Sequence, residues 1–373
     1  MGTKRKVKFL LVTGIYPPDI GGPATYIPHL ENYLQRNGIS HSTITLAAPQ
    51  FLKNEITPEA LTRIKRSGAN PRRFWKVMNE VVKQGRDAKF IFANGLHEEV
   101  GVALLFMRKK KAIAKIVGDP VWERAKNSGK TSLSLQEFNT QNKFELSLFL
   151  QRKLLKFSLN RFDTITCPSE ELVQLVEKWG VRIPVVLIQN GVAIHPYRRD
   201  STSWDIVSIS RLVKWKNTEK LIEFAISGGF SLAIIGSGPE ENRLRKLAAG
   251  NSRIVFLGEL DKAEIFRELS KSRFFGLFSD YEGLSFSLLE SMSFGVIPIV
   301  NANQGNLDVV SDGLNGFVIS IAEIDSSAQK VLKLSANQSQ LNSISRAAYR
   351  TCEERFDIEK KIDELMKLYL DEI

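Results

Sequence analysis

Along this chain the apolar residues gather in two ways. Short unbroken runs, among them FLLV at 9–12, FIFA, AIAKIV, VVLI, LAII, FFGLF and VIPIV, are separated by stretches where apolar positions recur every third or fourth residue. A short run without polar alternation fits a strand buried on both faces, and the intervening pattern fits a helix with one apolar stripe. Strands alternating with helices in this way predict an α/β fold with parallel sheets.

Taken in order, KFLLVTGIYPPDIGGPATYIPHLENYLQRNG reads as strand, Pro/Gly turn and helix ended by Gly38, and SHSTITLAAP as a second strand. Residues Pro58 to Ala88 read as helical, basic surface material. KFIFANGLHEEVGVALLFMRKK then supplies a third strand, a turn and a helix, and AIAKIVGDPVWERA a strand running into Gly118-Asp119-Pro120. Asn142 to Arg161 mixes Phe144, Leu148, Leu155 and Leu159 with Lys143, Arg152, Lys153, Lys156 and Arg161, as in a helix with a core stripe and a basic face. DTITCPSEELVQLVEKWG predicts a helix capped by Ser169 and stopped by Gly180, before a last strand in VVLIQNGV. The polar, aperiodic stretch His195 to Ser203 reads as a linker. A second βα series follows, and the chain ends in an amphipathic helix. These readings divide it into a first domain at 1–194, joined by the C-terminal helix at 356–373, and a second at 204–352.

The chemistry concentrates in FFGLFSDYEGLSFSLLESMSFGVIPIV, residues 274–300. FFGLFS reads as a strand, Asp280 to Gly283 as a turn, and Leu284, Leu288, Leu289 and Met292 as a helix stopped by Gly295. A helix that starts near Leu284 to Ser287 points its unpaired N–H groups and positive dipole end at the turn, which suits a phosphate. Gly283, Leu284 and Ser285 would line that spot. An anion needs no carboxylate, so Glu282 and Glu290 read as acceptors for neutral hydroxyls, of a sugar and a ribose respectively. The plainer alternative is a dipole partner at Glu282 and a solvated helix face at Glu290.

SDYEGLSFSLLESMSFGVIPIV, with its glutamates eight residues apart, resembles the signature of retaining glycosyltransferases of the GT-B fold, family four, and the likeness spans nearly the whole chain. It implies two Rossmann-like domains facing across a cleft, the second holding a nucleotide-sugar donor and the first an acceptor, with the C-terminal helix crossing back to the first domain. Gly21 and Gly22, which permit close backbone approach to a diphosphate, resemble the family's N-terminal glycine loop. Arg211 and Lys216 match the cations that neutralise the departing diphosphate, a role that suits an Arg fork and a Lys point charge. Gly236 and Gly238 bring backbone close to a ligand, and Gly258 and Glu259 fall where relatives hold the nucleobase. Asp119 stands where relatives commonly carry a histidine, which makes it the candidate to face the sugar or incoming hydroxyl. At the turn Asn94-Gly95-Leu96-His97, His97 is either a partner of an acceptor hydroxyl or a solvated loop histidine.

By the family's precedent the reaction retains configuration and needs no metal or other cofactor, UDP and GDP donors being equally open. The chain has no Asp-x-Asp pair to hold a divalent ion. Composition then narrows the setting. With 373 residues, 43% hydrophobic and 25% charged, the chain suits two folded domains. Cys167 and Cys352 offer no disulfide framework, and no run approaches the ~18 apolar residues of a membrane span, which together predict a protein inside the cell. The net charge of +11 admits nucleic acid or anionic lipid. No aromatic-and-basic recognition motif supports nucleic acid. Arg108 to Lys111 and the segment Lys143 to Arg161 favour peripheral contact with an anionic membrane, so the acceptor is expected to be a saccharide or lipid-linked molecule of surface polysaccharide synthesis. A nucleotide-sugar epimerase or a sugar phosphorylase of the same frame is the nearer alternative.

Overall fold

The computed structural model describes residues 9–52, 60–66, 71–141, 144–197 and 203–370. The chain divides into two compact units, one of residues 1–189 with 362–373 and the other of residues 190–361. The passage between them falls at Gln189 and Asn190, ahead of the 195–203 stretch, of which 198–202 lie outside the described residues.

The first unit is built on a seven-stranded parallel sheet in the order β3-β2-β1-β4-β5-β6-β7. Its strands are β1 (Phe9–Thr13), β2 (His41–Ala47), β3 (Leu61–Lys65), β4 (Phe90–Asn94), β5 (Lys111–Lys115), β6 (Thr164–Cys167) and β7 (Val185–Leu187). Between them run α1 (Gly22–Arg36), α2 (Pro71–Gly85), α3 (His97–Ala103), α4 (Pro120–Asn127), α5 (Leu135–Thr140), α6 (Leu146–Leu159) and α7 (Glu170–Lys178). β1 and β4, at the centre, are buried along their whole length, as unbroken apolar runs require. Val12 of β1 lies opposite both Ile44 of β2 and Ala93 of β4.

One element departs from expectation. The stretch Pro58 to Ala88, read as helical surface, contains β3, an edge strand paired in parallel with β2 from Thr43 opposite Leu61 to Ala47 opposite Lys65. LTRIK offers only Ile64 to the core, so at an edge it carries none of the apolar continuity that marks a central strand. Basic side chains then join this edge to the loop after β1: Arg63 donates to the Pro17 carbonyl at 2.9 Å and Arg66 pairs with Asp19.

The second unit repeats the design with six parallel strands in the order β10-β9-β8-β11-β12-β13. They are β8 (Trp204–Ile209), β9 (Leu232–Ile235), β10 (Ile254–Gly258), β11 (Ser272–Leu277), β12 (Ile297–Asn301) and β13 (Phe317–Ile319). The helices are α8 (Thr218–Gly228), α9 (Glu241–Leu247), α10 (Lys262–Ser270), α11 (Phe286–Ser293), α12 (Gln304–Leu307), α13 (Ile324–Ser335), α14 (Gln338–Arg355) and α15 (Ile358–Leu370). Apolar clusters fill both faces of this sheet, one around Phe224, Phe274 and Phe278, the other around Phe275, Leu288 and Met292. In both sheets the order reverses beside the first strand of the unit, at β1/β4 and at β8/β11. Loops leaving the C-terminal ends of strands at such a reversal are where α/β sheets bind ligands.

From Ile362 onward α15 belongs to the first unit. Tyr369 anchors it, with its ring 5.0 Å from Phe9 and 5.1 Å from Phe90 in edge contacts and its hydroxyl donating to the Ile91 carbonyl at 2.9 Å. Tyr369→Ala is expected to destabilise the first unit by about 3–5 kcal/mol, the usual range for deleting a buried aromatic side chain. Denaturant titration checks this; a loss below about 1 kcal/mol would show that the helix end is not a core element.

Candidate functional site

In the second unit, four loops at the C-terminal ends of strands are bound to one another. β8 ends at Ile209, and the chain then turns through Arg211 into a short 3-10 turn, Lys214–Lys216, that ends on Asn217 in the left-handed conformation with φ 48°. Asn217 reaches across to the loop after β11, donating to the Phe278 carbonyl at 3.1 Å and to the Asp280 carboxylate at 2.5 Å. The Asp280 N–H donates back to the Trp215 carbonyl at 2.8 Å. Asn303, in the loop after β12, donates to the Ser279 carbonyl at 2.7 Å. Gly305 packs so tightly that a Cβ there would sit 2.1 Å from the Glu282 carbonyl oxygen.

Gly236 and Gly238 sit in the loop after β9, and the backbone they approach belongs to the protein. A Cβ on Gly236 would fall 2.1 Å from the Ser210 oxygen, and one on Gly238 would fall 2.3 Å from the Leu212 oxygen. Gly236 also has φ 123°. These glycines hold up the Arg211 loop from beneath, and Ser237 of the same turn donates to Glu259.

This scaffold sets the charged groups. Lys216 Nζ lies 2.5 Å from Glu282 Oε1, with both side chains largely buried. Lys216 and Glu282, expected to serve diphosphate and sugar separately, are thus one ion pair. Arg211 is exposed, its guanidinium 5.8 Å from the centre of the Trp215 ring. After Gly283 and Leu284 comes Ser285, the N-cap of α11, whose hydroxyl accepts from the Leu288 N–H at 3.3 Å. The helix ends at Ser293 before Gly295 in the left-handed region, φ 71°, matching the expected element within two residues. Asn190 donates to the Leu284 carbonyl at 2.8 Å and so fixes the turn into α11. Buried Oδ1 of Asn190 and Oγ of Ser279 have no hydrogen-bond partner among the described residues.

Glu290 is buried on α11, so it is not a solvated face. Lys262, at the start of α10, forms its ion pair. Burial pushes the Glu290 carboxyl up, and the Lys262 ammonium opposes that shift without cancelling it. Lys262 also lies 5.1 Å from the centre of the Phe266 ring. Sequence reasoning missed Lys262 because a lysine in a first helical turn looks like ordinary surface charge. Asn190, Asn217 and Asn303 were equally hidden; their only signal was an Asn beside a glycine or in a turn.

The first unit places its candidates differently. Gly21, with φ 149°, is the N-cap of α1, and Gly22 is its first residue. A Cβ on Gly21 would also strike Ile15, at 2.7 Å. Asn94 ends β4 and is buried, its Oδ1 without a partner among the described residues. His97 is buried, so the solvated-loop alternative fails: its Nε2 lies 3.0 Å from the Lys115 carbonyl, and burial holds its pKa below the ordinary imidazole value.

Asp119 also departs from its expected role. It is completely buried and caps α4, with Oδ1 accepting from the N–H groups of Val121 and Trp122 at 3.0 and 3.1 Å. Oδ2 accepts from Arg152 at 2.6 Å and Asn139 at 3.0 Å. Both oxygens are committed to fold contacts, so Asp119 does not present a carboxylate to a substrate. Nearby, Glu98 pairs with Arg124 at 2.6 Å and Glu99 with Arg73 at 3.0 Å. Burial raises the Glu98 carboxyl, but the Arg124 guanidinium, His97 and a backbone N–H together leave the group below the usual range.

Proteins similar to this chain include glycosyltransferases. Residues 20–195 match the family model described as Glycosyltransferase Family 4, and residues 193–351 that described as Glycosyl transferases group 1. The uncharacterized glycosyltransferase MJ1069 of Methanocaldococcus jannaschii is 22% identical over 98% of each chain. The lipopolysaccharide core biosynthesis glycosyltransferase LpsE of Rhizobium meliloti is 25% identical over 55% of this chain and 64% of its own. Among solved structures, Anabaena Alr3699/HepE in complex with UDP and glucose superposes with a TM-score of 0.77 at 17% identity, covering 98% of this chain and 100% of that one.

The raised Glu290 carboxyl has a testable consequence. Its pKa is higher folded than unfolded, so ionisation disfavours the fold. That penalty is absent below the unfolded value of 4.5 and grows as pH rises through the folded value. Glu290→Gln keeps the shape without the charge, and the half-exposed Lys262 left behind can be hydrated. The variant is expected to melt above wild type at pH 8, with the two converging toward pH 4.5. Equal melting temperatures at both ends of that range would contradict the buried, destabilised carboxylate.

Proposed function

Because the chain is a glycosyltransferase of the GT-B fold, we propose that it transfers a sugar from a nucleoside diphosphate, of the UDP type, with retention of configuration and without a metal ion. The observation that carries this reading is the meeting of Arg211, the Lys216–Glu282 pair and the start of α11 at one end of one sheet. Arg211, Lys216 and the helix dipole together supply positive charge for a diphosphate, and charge stabilisation of a leaving group is often the largest single contribution to such a reaction. Glu282 would accept from a hydroxyl of the transferred sugar, and Glu290 from the ribose.

In this mechanism the bond between the sugar's anomeric carbon and the β-phosphate oxygen breaks as an acceptor hydroxyl forms the new glycosidic bond from the same face. The departing phosphate takes the hydroxyl proton, so the products are the glycoside and the free nucleoside diphosphate. The cations are most useful as the leaving oxygen gains charge. The likeness to the Anabaena protein, solved in complex with UDP and glucose, supports a UDP donor. The likeness to LpsE supports an acceptor, saccharide or lipid-linked, from lipopolysaccharide or surface polysaccharide synthesis, met at the inner face of a membrane. The acceptor would be held by the first unit, near Asn94 and His97.

The purified chain is to be incubated with a panel of nucleotide sugars, with and without candidate acceptors, and the product's anomeric configuration read by proton NMR. Consumption of a UDP-sugar only when acceptor is present, giving a retained product, is expected. Interconversion of the donor sugar without acceptor would replace transfer by epimerisation, and consumption requiring inorganic phosphate would replace it by phosphorolysis. Arg211→Ala is expected to lower kcat by about 10²-fold or more while leaving the melting temperature unchanged, since the side chain is exposed. Activity is expected to survive EDTA; loss restored by magnesium or manganese would overturn metal independence.

A further inference from the structure

α6 is apolar on two opposite faces. Leu148, Leu155 and Leu159 are buried, and on that side Ser158 meets Gly101 of α3, where a Cβ would lie 2.5 Å from the Ser158 oxygen. The other side is just as apolar yet exposed: Leu146 is 71% accessible, Leu150 57%, Phe149 44%, Phe157 43% and Leu154 40%. At about 100° per residue these five and the exposed Lys153 occupy one continuous stripe of roughly 140°. Leu105 and Phe106, in the turn after α3, are exposed too, 47% and 62% accessible. Single exposed apolar residues are ordinary, but a whole helical face is not.

The charges around this face indicate what covers it. No acidic residue occurs from Leu146 to Leu159, whereas Arg152, Lys153 and Lys156 do. The Lys153 ammonium lies 5.2 Å from the centre of the Phe149 ring, and the Arg161 guanidinium 4.6 Å from that of Phe157. Long cationic side chains laid along aromatic rings can keep their heads among anionic groups while the rings enter an apolar layer. Lysine is depleted from protein–protein interface cores, so a lysine set into the stripe favours lipid over a protein partner. No helix among the described residues is long and apolar enough to cross a membrane.

We propose that the outer face of α6 is a lipid-docking surface. It lies flat in the interface of an anionic bilayer, Leu146, Phe149, Leu150, Leu154 and Phe157 entering the acyl boundary and Lys153 and Arg161 meeting headgroup phosphates. This rests on the membrane-borne acceptor of the proposed function and deepens it. The apolar residues that the sequence pattern singled out face the core; the docking residues are the ones between them. Docking is therefore apolar as well as electrostatic, and part of it survives salt that screens exposed charges beyond a few ångströms.

The test uses the full chain and vesicles of phosphatidylcholine with or without phosphatidylglycerol, in co-sedimentation at low and at 0.5 M salt. Wild type is expected to bind the anionic vesicles, with a part of the binding retained at high salt. Leu150→Gln with Phe157→Gln should weaken partitioning about tenfold or more and abolish the salt-resistant part. Lys153→Gln with Arg161→Gln should reduce low-salt binding and leave that part in place. Leu332→Gln, an exposed apolar residue elsewhere, should change nothing. All variants should keep the wild-type melting temperature and, on a soluble acceptor, wild-type turnover, which separates failure of docking from failure of the transferase reading. Binding unchanged in the Leu150/Phe157 variant would overturn the assignment of this face while leaving membrane contact standing. Absence of wild-type binding to either vesicle would overturn both. Self-association on size exclusion that the same variant relieves, without vesicle binding, would instead identify a second copy of the chain as the occupant.

Discussion

The ion pair between Lys216 and Glu282 joins two loops that leave adjacent strands of the second unit, and the surrounding contacts hold that pair in place. Asn217, next to the lysine, adopts a left-handed backbone and spends its amide on the glutamate's loop. Gly305 lets a third loop lie against the glutamate's own carbonyl, and Gly236 and Gly238 let a fourth support the Arg211 loop. Any side chain at these glycines would meet backbone, which cannot swing aside. Parallel strands deliver the loops to one end of the sheet, and close backbone packing converts that proximity into fixed positions.

Both units bury charged side chains. In the first, Asp119, Glu98 and Glu99 are each matched by an arginine at 2.6, 2.6 and 3.0 Å, and Asp119 also caps a helix. Lys115, at the end of β5, is fully buried over the Tyr26 ring, and burial pushes its pKa down to about 8. In the second, Glu290 is held in a state that burial opposes. A carboxylate kept despite such opposition is a frequent mark of a functional site. Burial opposes charge in the first unit as well, pushing Lys115 down and Glu99 up.

What the residues revealed in advance depended on how far their partners lie along the chain. The central strands declare themselves because burial on both faces leaves an unbroken apolar run, and α11 because the Asp280–Gly283 turn, the spacing of Leu284, Leu288, Leu289 and Met292, and Gly295 bound it locally. β3 does not, since at a sheet edge LTRIK needs only one buried residue. Asp119 could be recognised as a helix cap from the following proline, but Arg152, which consumes its other oxygen, lies 33 positions away. Lys262 and Glu290 are 28 apart, and neither one alone announces the pair. α6 read as one apolar and one basic face because helical spacing finds a stripe without revealing that the residues between it form a second.

Under the proposed function, recognition of a nucleotide sugar would depend on Lys216 and Glu282, which form one ion pair, acting as one unit. Calorimetric titration of a UDP-sugar into wild type, Lys216→Ala, Glu282→Ala and the double variant measures their coupling. If each side chain holds the other in its working position, either substitution weakens binding and the double variant binds no more weakly than the worse single one, a coupling of about 1 kcal/mol or more. Losses that add to within about 0.5 kcal/mol would show two independent contacts and would contradict the joint role of the pair.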